Sequence, residues 1–311
     1  MPDPTTRDRL DAAGFAAAVV CCALWGGNAV AVKYAVPDFP PLGCAAVRFL
    51  IGVPVLAVIL RSSGQAFSVG RPLWGLLLLH GALTAAQIGT FNWGTSHSEA
   101  GRSSVFINIH PLVVAPLAWL VLGERLGLRG LAGLAAAVAG VGVLLAEPLR
   151  KGGGLTGDLV VLGSGMIFGV QTIAQKLTFS RIPPTTLLFG QTCLAATLAA
   201  LYSLAFEGPG TFHVTTGAVW GVLYQGLAVS GLGFALWMLL LRRYPAGRLA
   251  TVAFLTPIFG VGLGTLFRGE ALTLSLLAGG SLVGLGIFLV ASDRTAHRAT
   301  PDLALPGEDA P

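Results

Sequence analysis

Within its long apolar stretches this sequence carries a small set of polar and aromatic residues at helical spacing. His80, Thr84, Gln87 and Phe91 follow one another at intervals of four, three and four residues, which places them on one stripe of a helix. Ser104, Asn108 and His110 precede Pro111, and Phe254 and Thr256 precede Pro257. A proline removes a backbone donor and frees a carbonyl one turn earlier, so each kink either presents backbone to a ligand or simply bends the helix. Trp25 with Asn28, Gln171 with Gln175, and Tyr224 and Gln225 with Trp237 make further polar and aromatic groups. Amides, hydroxyls and aromatic rings in an apolar surround suit noncovalent recognition of a small amphipathic solute. The competing use of each residue is interhelical hydrogen bonding or core packing.

Covalent and metal chemistry lack their residue sets. None of the five histidines has a carboxylate at coordinating spacing, and no GxxxxGK loop occurs, so the sequence predicts no catalytic residue, metal, cofactor or direct use of ATP. Cys21, Cys22, Cys44 and Cys193 fall in apolar runs without CxxC spacing and read as apolar fillers. The acids Glu99, Glu124, Glu147, Asp158, Glu207 and Glu270 fall in loops or at the ends of apolar segments, where Glu124 and Glu270 are expected to hold short turns. That leaves His80 and His110 as the groups deep enough to carry a proton; without them a solute would equilibrate down its own gradient. Arg48 falls well inside an apolar segment, either snorkelling or paired, because an unpaired Arg at mid-bilayer costs at least about 2.5–3.5 kcal/mol.

The elements that must position these residues are membrane spans. Hydrophobic residues make up 54% of the chain and charged residues 11%, far below the roughly 25% of a soluble domain. A water-soluble fold could not hide that much apolar surface, but a bilayer receives it directly. Ten segments have the length of a spanning helix: Ala12–Lys33, Leu42–Leu60, Leu73–Trp93, Ser103–Leu122, Leu128–Ala146, Asp158–Thr178, Thr186–Phe206, Ala218–Leu241, Leu249–Phe267 and Leu274–Ala291. The polar, Pro-rich tail 292–311 is expected to be disordered and cytoplasmic. With ten spans, 13 of the Lys and Arg residues fall on the side of the termini and five on the other, which predicts cytoplasmic termini in a plasma (inner) membrane. The net charge of +5 is scattered between apolar segments, a membrane-topology pattern and not a nucleic-acid face.

The sequence repeats. A shift of 146 residues lays Trp74-Gly75 on Trp220-Gly221, Ala100-Gly101-Arg102 on Ala246-Gly247-Arg248, Pro111 on Pro257 and Gly123-Glu124 on Gly269-Glu270. It also lays Leu131-Ala132-Gly133 on Leu277-Ala278-Gly279 and Gly140 on Gly286. A shift of 143 lays Trp25-Gly26 on Phe168-Gly169, Asn28 on Gln171, Lys33 on Lys176, Pro41 on Pro184 and Arg48 on Gln191. Each unit holds five spans, an odd number, so the second inserts upside down relative to the first. Inverted repeats of this kind underlie alternating access in many secondary transporters. The fold expected is thus all-α and membrane-integral, with one five-helix repeat over 12–146 and its inverted copy over 158–291. The glycines Gly130, Gly133, Gly140, Gly279, Gly280, Gly284 and Gly286 suit close helix packing, either as scaffold or as the face of a homodimer.

Two five-span units, a Trp-Gly pair in the first span and a mid-span Pro followed thirteen residues later by Gly-Glu resemble the EamA-type branch of the drug/metabolite transporter superfamily. The resemblance runs from about Phe15 to Ser292, with Phe168 in place of the aromatic Trp25 and Ala271 where the first copy has Arg125. It implies a ten-helix fold around a central cavity, often used to export amino acids or related metabolites. The expected function is secondary export of a small amphipathic solute through the lipid bilayer. Multidrug or quaternary-ammonium efflux would call for an intramembrane carboxylate, and a receptor or intramembrane enzyme would call for a soluble domain or a catalytic cluster; neither feature is found.

Overall fold

The structure is a computed structural model describing residues 11–65, 67–122, 127–151, 154–208, 214–244, 249 and 252–293. The expected turn at Gly123-Glu124, the Ala246-Gly247-Arg248 motif and the tail from residue 294 lie outside the described residues. Nine helices among the described residues are long and apolar enough to cross a membrane: Ala12–Ala35, Pro41–Ser62, Arg71–Ser96, Ala100–Val121, Leu128–Arg150, Leu155–Thr178, Pro184–Glu207, Thr216–Trp237 and Leu274–Ala291. The shorter Leu255–Arg268 supplies the ninth of ten spans in chain order. Helices are the required solution, since in lipid every backbone polar group must find its partner within the segment.

Three spans are interrupted where the sequence weakens the helix. The first breaks at Gly27, between helices Ala12–Gly26 and Asn28–Ala35. In the fourth, Ala100–Ile107 ends before a turn and the helix restarts at Pro111, whose missing N–H is harmless at a first position. In the ninth, Phe254 sits in a turn before Leu255–Arg268, so the continuous run expected from Leu249 is broken. The eighth span, expected to be uniform, widens instead into a π-helix over Tyr224–Gly233.

The packing obeys a pseudo-twofold. The third span packs on the sixth and seventh, and its repeat mate, the eighth, packs on the first and second. The two members of each of the pairs two–seven, four–nine and five–ten pack on each other. The symmetry holds at atomic contacts. A Cβ on Gly26 would stand 2.7 Å from the Phe259 Cβ and 2.9 Å from the Thr256 carbonyl oxygen; one on Gly169 would stand 2.6 Å from the Val113 Cβ and 2.9 Å from the His110 carbonyl oxygen. Shifted by 146 residues, Val113 and His110 are Phe259 and Thr256. Backbones this close leave no room for a side chain.

Gly133 and Gly140 close in the same way on Gly286 and Gly279, with Cβ-to-carbonyl separations of 2.5–2.9 Å that only glycine permits. These four glycines therefore serve the scaffold between the fifth and tenth spans and are not free to form a dimer face. The ends of these two spans also engage each other's carboxylates. Asp293 accepts from Gly127 N at 2.7 Å and Gly130 N at 2.9 Å, at the start of the fifth span. Glu147 accepts from the Thr273 hydroxyl at 2.9 Å and from Ser275, at the start of the tenth. Carboxylates at helix N-termini satisfy free donors and face the positive end of the dipole.

Candidate functional site

The repeat generates two related seams, one between the third and sixth spans and one between the eighth and first. In the first seam Gln87 Nε2 donates to Ser164 Oγ (3.1 Å), and Ser164 Oγ donates back to the Gln87 carbonyl (2.6 Å). Gln171 Nε2 donates to Thr84 Oγ1 at 2.7 Å, and His80 Nε2 meets Thr178 Oγ1 at 2.9 Å. One helical turn farther, Gln175 Nε2 donates to Gln191 Oε1 at 3.1 Å. Every group in this ladder is uncharged or, at His80, buried with a hydroxyl. The stripe read from sequence thus bonds across a helix–helix contact, and Phe91 at its end lies in the main apolar core.

The second seam keeps the backbone geometry and changes the side chains. Cys21, which the repeat lays on Ser164, approaches the Gly233 carbonyl with its thiol at 3.7 Å, and Gly233 corresponds to Gln87. Ser230 and Asn28 correspond to Thr84 and Gln171, but here Arg48 stands between them. Its Nε donates to Ser230 Oγ at 3.0 Å and its Nη1 to Asn28 Oδ1 at 3.2 Å. Beside this bridge Trp25 packs on Trp237 and Phe234, with ring centroids 5.1 and 6.0 Å apart.

A third polar group lies at the end of the molecule where the third span turns into the fourth. Arg102, 5% exposed, donates through Nε to Asp158 (3.0 Å), through Nη2 to Asp158 and the Leu144 carbonyl, and through Nη1 to Glu147 at 3.4 Å. Ser98 also donates to Asp158. Gly269, with φ +65°, ends the ninth span in the left-handed conformation. Glu270 then accepts from Ala100 N at 2.6 Å and Gly101 N at 2.8 Å. It caps a helix of the other repeat, where the sequence suggested it would hold its own turn. Glu99, just before that helix, has its carboxyl held above the usual range by burial and then by the neighbouring Glu270 charge. Lys33 donates to the Ser98 carbonyl at 2.8 Å in the same cluster.

The sequence profile of the EamA-like transporter family matches residues 12–146 and 155–292. The chain belongs to the EamA-like transporter family. A probable amino-acid metabolite efflux pump of Salmonella typhimurium is 28% identical over 89% of this chain and 93% of its own length. A probable terminal-alkyne amino-acid exporter of Streptantibioticus cattleyicolor is 26% identical over 88% and 92%. A solved crystal structure, 21% identical, superposes with a TM-score of 0.66 over 89% of this chain and 97% of its own, and so shares its fold.

Within this EamA-family fold the remaining sequence-derived candidates are spread widely. Asn108 donates to the Ser104 carbonyl of its own helix at 2.8 Å, and His110 packs on Phe168 with centroids 4.5 Å apart. Tyr224 donates to the Leu24 carbonyl at 2.9 Å, while fully buried Gln225 pairs with Cys44. Phe254 packs edge-on against Phe288 at 5.8 Å. Tyr224 also lines an apolar groove of about 380 Å³ beside Gly27, Tyr34 and Trp220. A second, larger groove of about 680 Å³ runs past Pro41, Trp93, His97 and Glu207. Sequence reasoning did not pick out Ser164, Thr178 or Ser230. The 146-residue shift contained a signal for Ser230, since it falls on Thr84, but Ser164 and Thr178 stand opposite Cys21 and Ala35 and carry none.

Proposed function

We propose that this protein exports small amphipathic metabolites, amino acids or close relatives of them, across the plasma membrane by alternating access. The observation carrying the reading is the pseudo-twofold itself, seen where Gly26 meets Phe259 and Thr256 while Gly169 meets Val113 and His110. Two halves joined by interchangeable contacts have two related ways to pack, and exchange between them opens a central site to either side in turn. The names of the Salmonella and Streptantibioticus relatives support amino-acid-like cargo. In this reading both termini are cytoplasmic, following the Lys and Arg asymmetry, and the Arg102–Asp158 cluster lies at the outer end. The two seams, with Trp25, Asn28, Thr84, Gln87, Gln171 and Trp237, flank the solute path. The solute runs down its own gradient, with no metal, cofactor or ATP.

Reconstitution into proteoliposomes tests this. Efflux of labelled L-leucine or L-phenylalanine above that of empty liposomes, against glucose and choline as controls, is the expected outcome. The rate should be insensitive to an imposed pH gradient. Uphill accumulation driven by that gradient would replace equilibration with proton coupling, and no flux of any amino acid by folded protein would overturn the export of such solutes.

A further inference from the structure

Arg48 sits seven residues into the second span, about 10 Å along the helix from Pro41, in a hydrocarbon layer about 30 Å thick. It is 3% exposed. Among the described residues no carboxylate is in ion-pair contact with it, and its hydrogen bonds go to the neutral Ser230 and Asn28. A guanidinium does not lose its proton in proteins, so this is a full positive charge held in the interior without an opposite charge. Such a group is costly, and in membrane proteins it marks a binding or transport path.

Crosslinking three helices is the bland explanation, and the repeat argues against it as a full account. Gln191, the counterpart of Arg48, engages Gln175 of the sixth span through a neutral amide. Bridging at this position does not need a charge. The charge is confined to the seam that also carries the break at Gly27, the π-helix over Tyr224–Gly233 and the half-buried Trp25–Trp237 pair. π-helical segments recur at functional sites. Two donors of this bridge remain unused: Arg48 Nη2 and Asn28 Nδ2 make no hydrogen bond among the described residues.

We infer that Arg48, with Asn28, is a carboxylate-binding subsite, and that the cargo is an organic acid or amino acid whose apolar part lies against Trp25 and Trp237. The inference rests on the exporter reading and narrows it. It gives the solute's negative group the counter-charge role that Asp158 plays for Arg102, and it disfavours cations, which the same charge repels.

Flux of three matched probes in proteoliposomes of the full chain tests it: L-phenylalanine, 3-phenylpropionate (carboxylate only) and phenethylamine (ammonium only). Wild type should move both acids at least ~10-fold faster than the amine, as expected for one charge-assisted pair. Arg48→Gln, which installs the residue of the second repeat, should reduce that preference at least ~10-fold, and Arg48→Lys should keep part of it. Equal flux of acid and amine in wild type, or full discrimination by folded Arg48→Gln, overturns the subsite and leaves the exporter reading standing. Should Arg48→Gln not fold, the wild-type comparison decides alone. No flux of these probes or of any amino acid by folded wild type removes both readings together.

Discussion

Two arginines are buried to nearly the same degree in this membrane protein, Arg102 at 5% and Arg48 at 3% exposure, and their surroundings could hardly differ more. Arg102 meets Asp158 and Glu147, and through them joins the fourth, fifth and sixth spans. Arg48 meets a serine and an asparagine. A buried charge whose partner comes from the same chain is part of the scaffold. One whose partners are neutral keeps its field available for something that arrives. The contrast distinguishes a buried arginine paired with carboxylates from one bonded only to neutral groups, which burial alone does not do.

Removing the scaffold charge should have the largest effect. Arg102→Ala leaves Asp158 buried without its counter-charge, with only the Ser98 hydroxyl still donating to it, a loss of about 3–5 kcal/mol when one partner of such a pair is deleted. Thermal unfolding in detergent should show a large drop in Tm, with partial recovery in Arg102→Leu/Asp158→Leu. A wild-type Tm in Arg102→Ala would place the arginine among the surface charges and dissolve the comparison.

The neutral seam should respond more mildly in stability and clearly in function. Gln87→Leu loses the bond to Ser164 Oγ, but Ser164 still donates to the residue 87 carbonyl. The expected stability cost is about 0.5–1.5 kcal/mol, with amino-acid efflux reduced several-fold at unchanged expression. Normal efflux would make the seam packing only.

Glu99→Gln is the smallest expected effect. The Glu99 carboxyl titrates above its ordinary range in the folded protein, so folding holds its proton more tightly than the unfolded chain does. Ionisation then opposes folding, and the opposition grows as pH rises out of the carboxylate range. The variant should match wild type near pH 4 and melt slightly higher near pH 8. A higher Tm at both values would locate the effect in packing and not in charge.

The spans, their repeat and the packing glycines were legible in the sequence because each is a local or periodic signal. Trp25-Gly26 and Phe168-Gly169 align in the repeat, and the structure gives the two glycines equivalent backbone contacts. What was not legible is who meets whom. Arg102 and Asp158 are 56 residues apart, and nothing local in either segment names the other. Thr84, Gln87 and Gln171 were recognised as polar groups in apolar helices, but their mutual bonds depend on the crossing of the third and sixth spans. The interruption at Phe254 was hidden because composition reports apolarity and not continuity.

The cap that Asp293 places on the fifth span, and the bonds Glu147 makes at the start of the tenth, have a consequence for how the protein is made. Asp293 caps a helix whose Gly130 precedes it by 163 residues, and Glu147 waits for a hydroxyl that is 126 residues downstream. A ribosome adding about 5–20 residues per second leaves the fifth span without its cap for roughly 8–30 s. Throughout that interval the first half sits in the membrane with its start unsealed and its glycine face uncovered. The seal on the fifth span is therefore set late in synthesis, when Asp293 emerges.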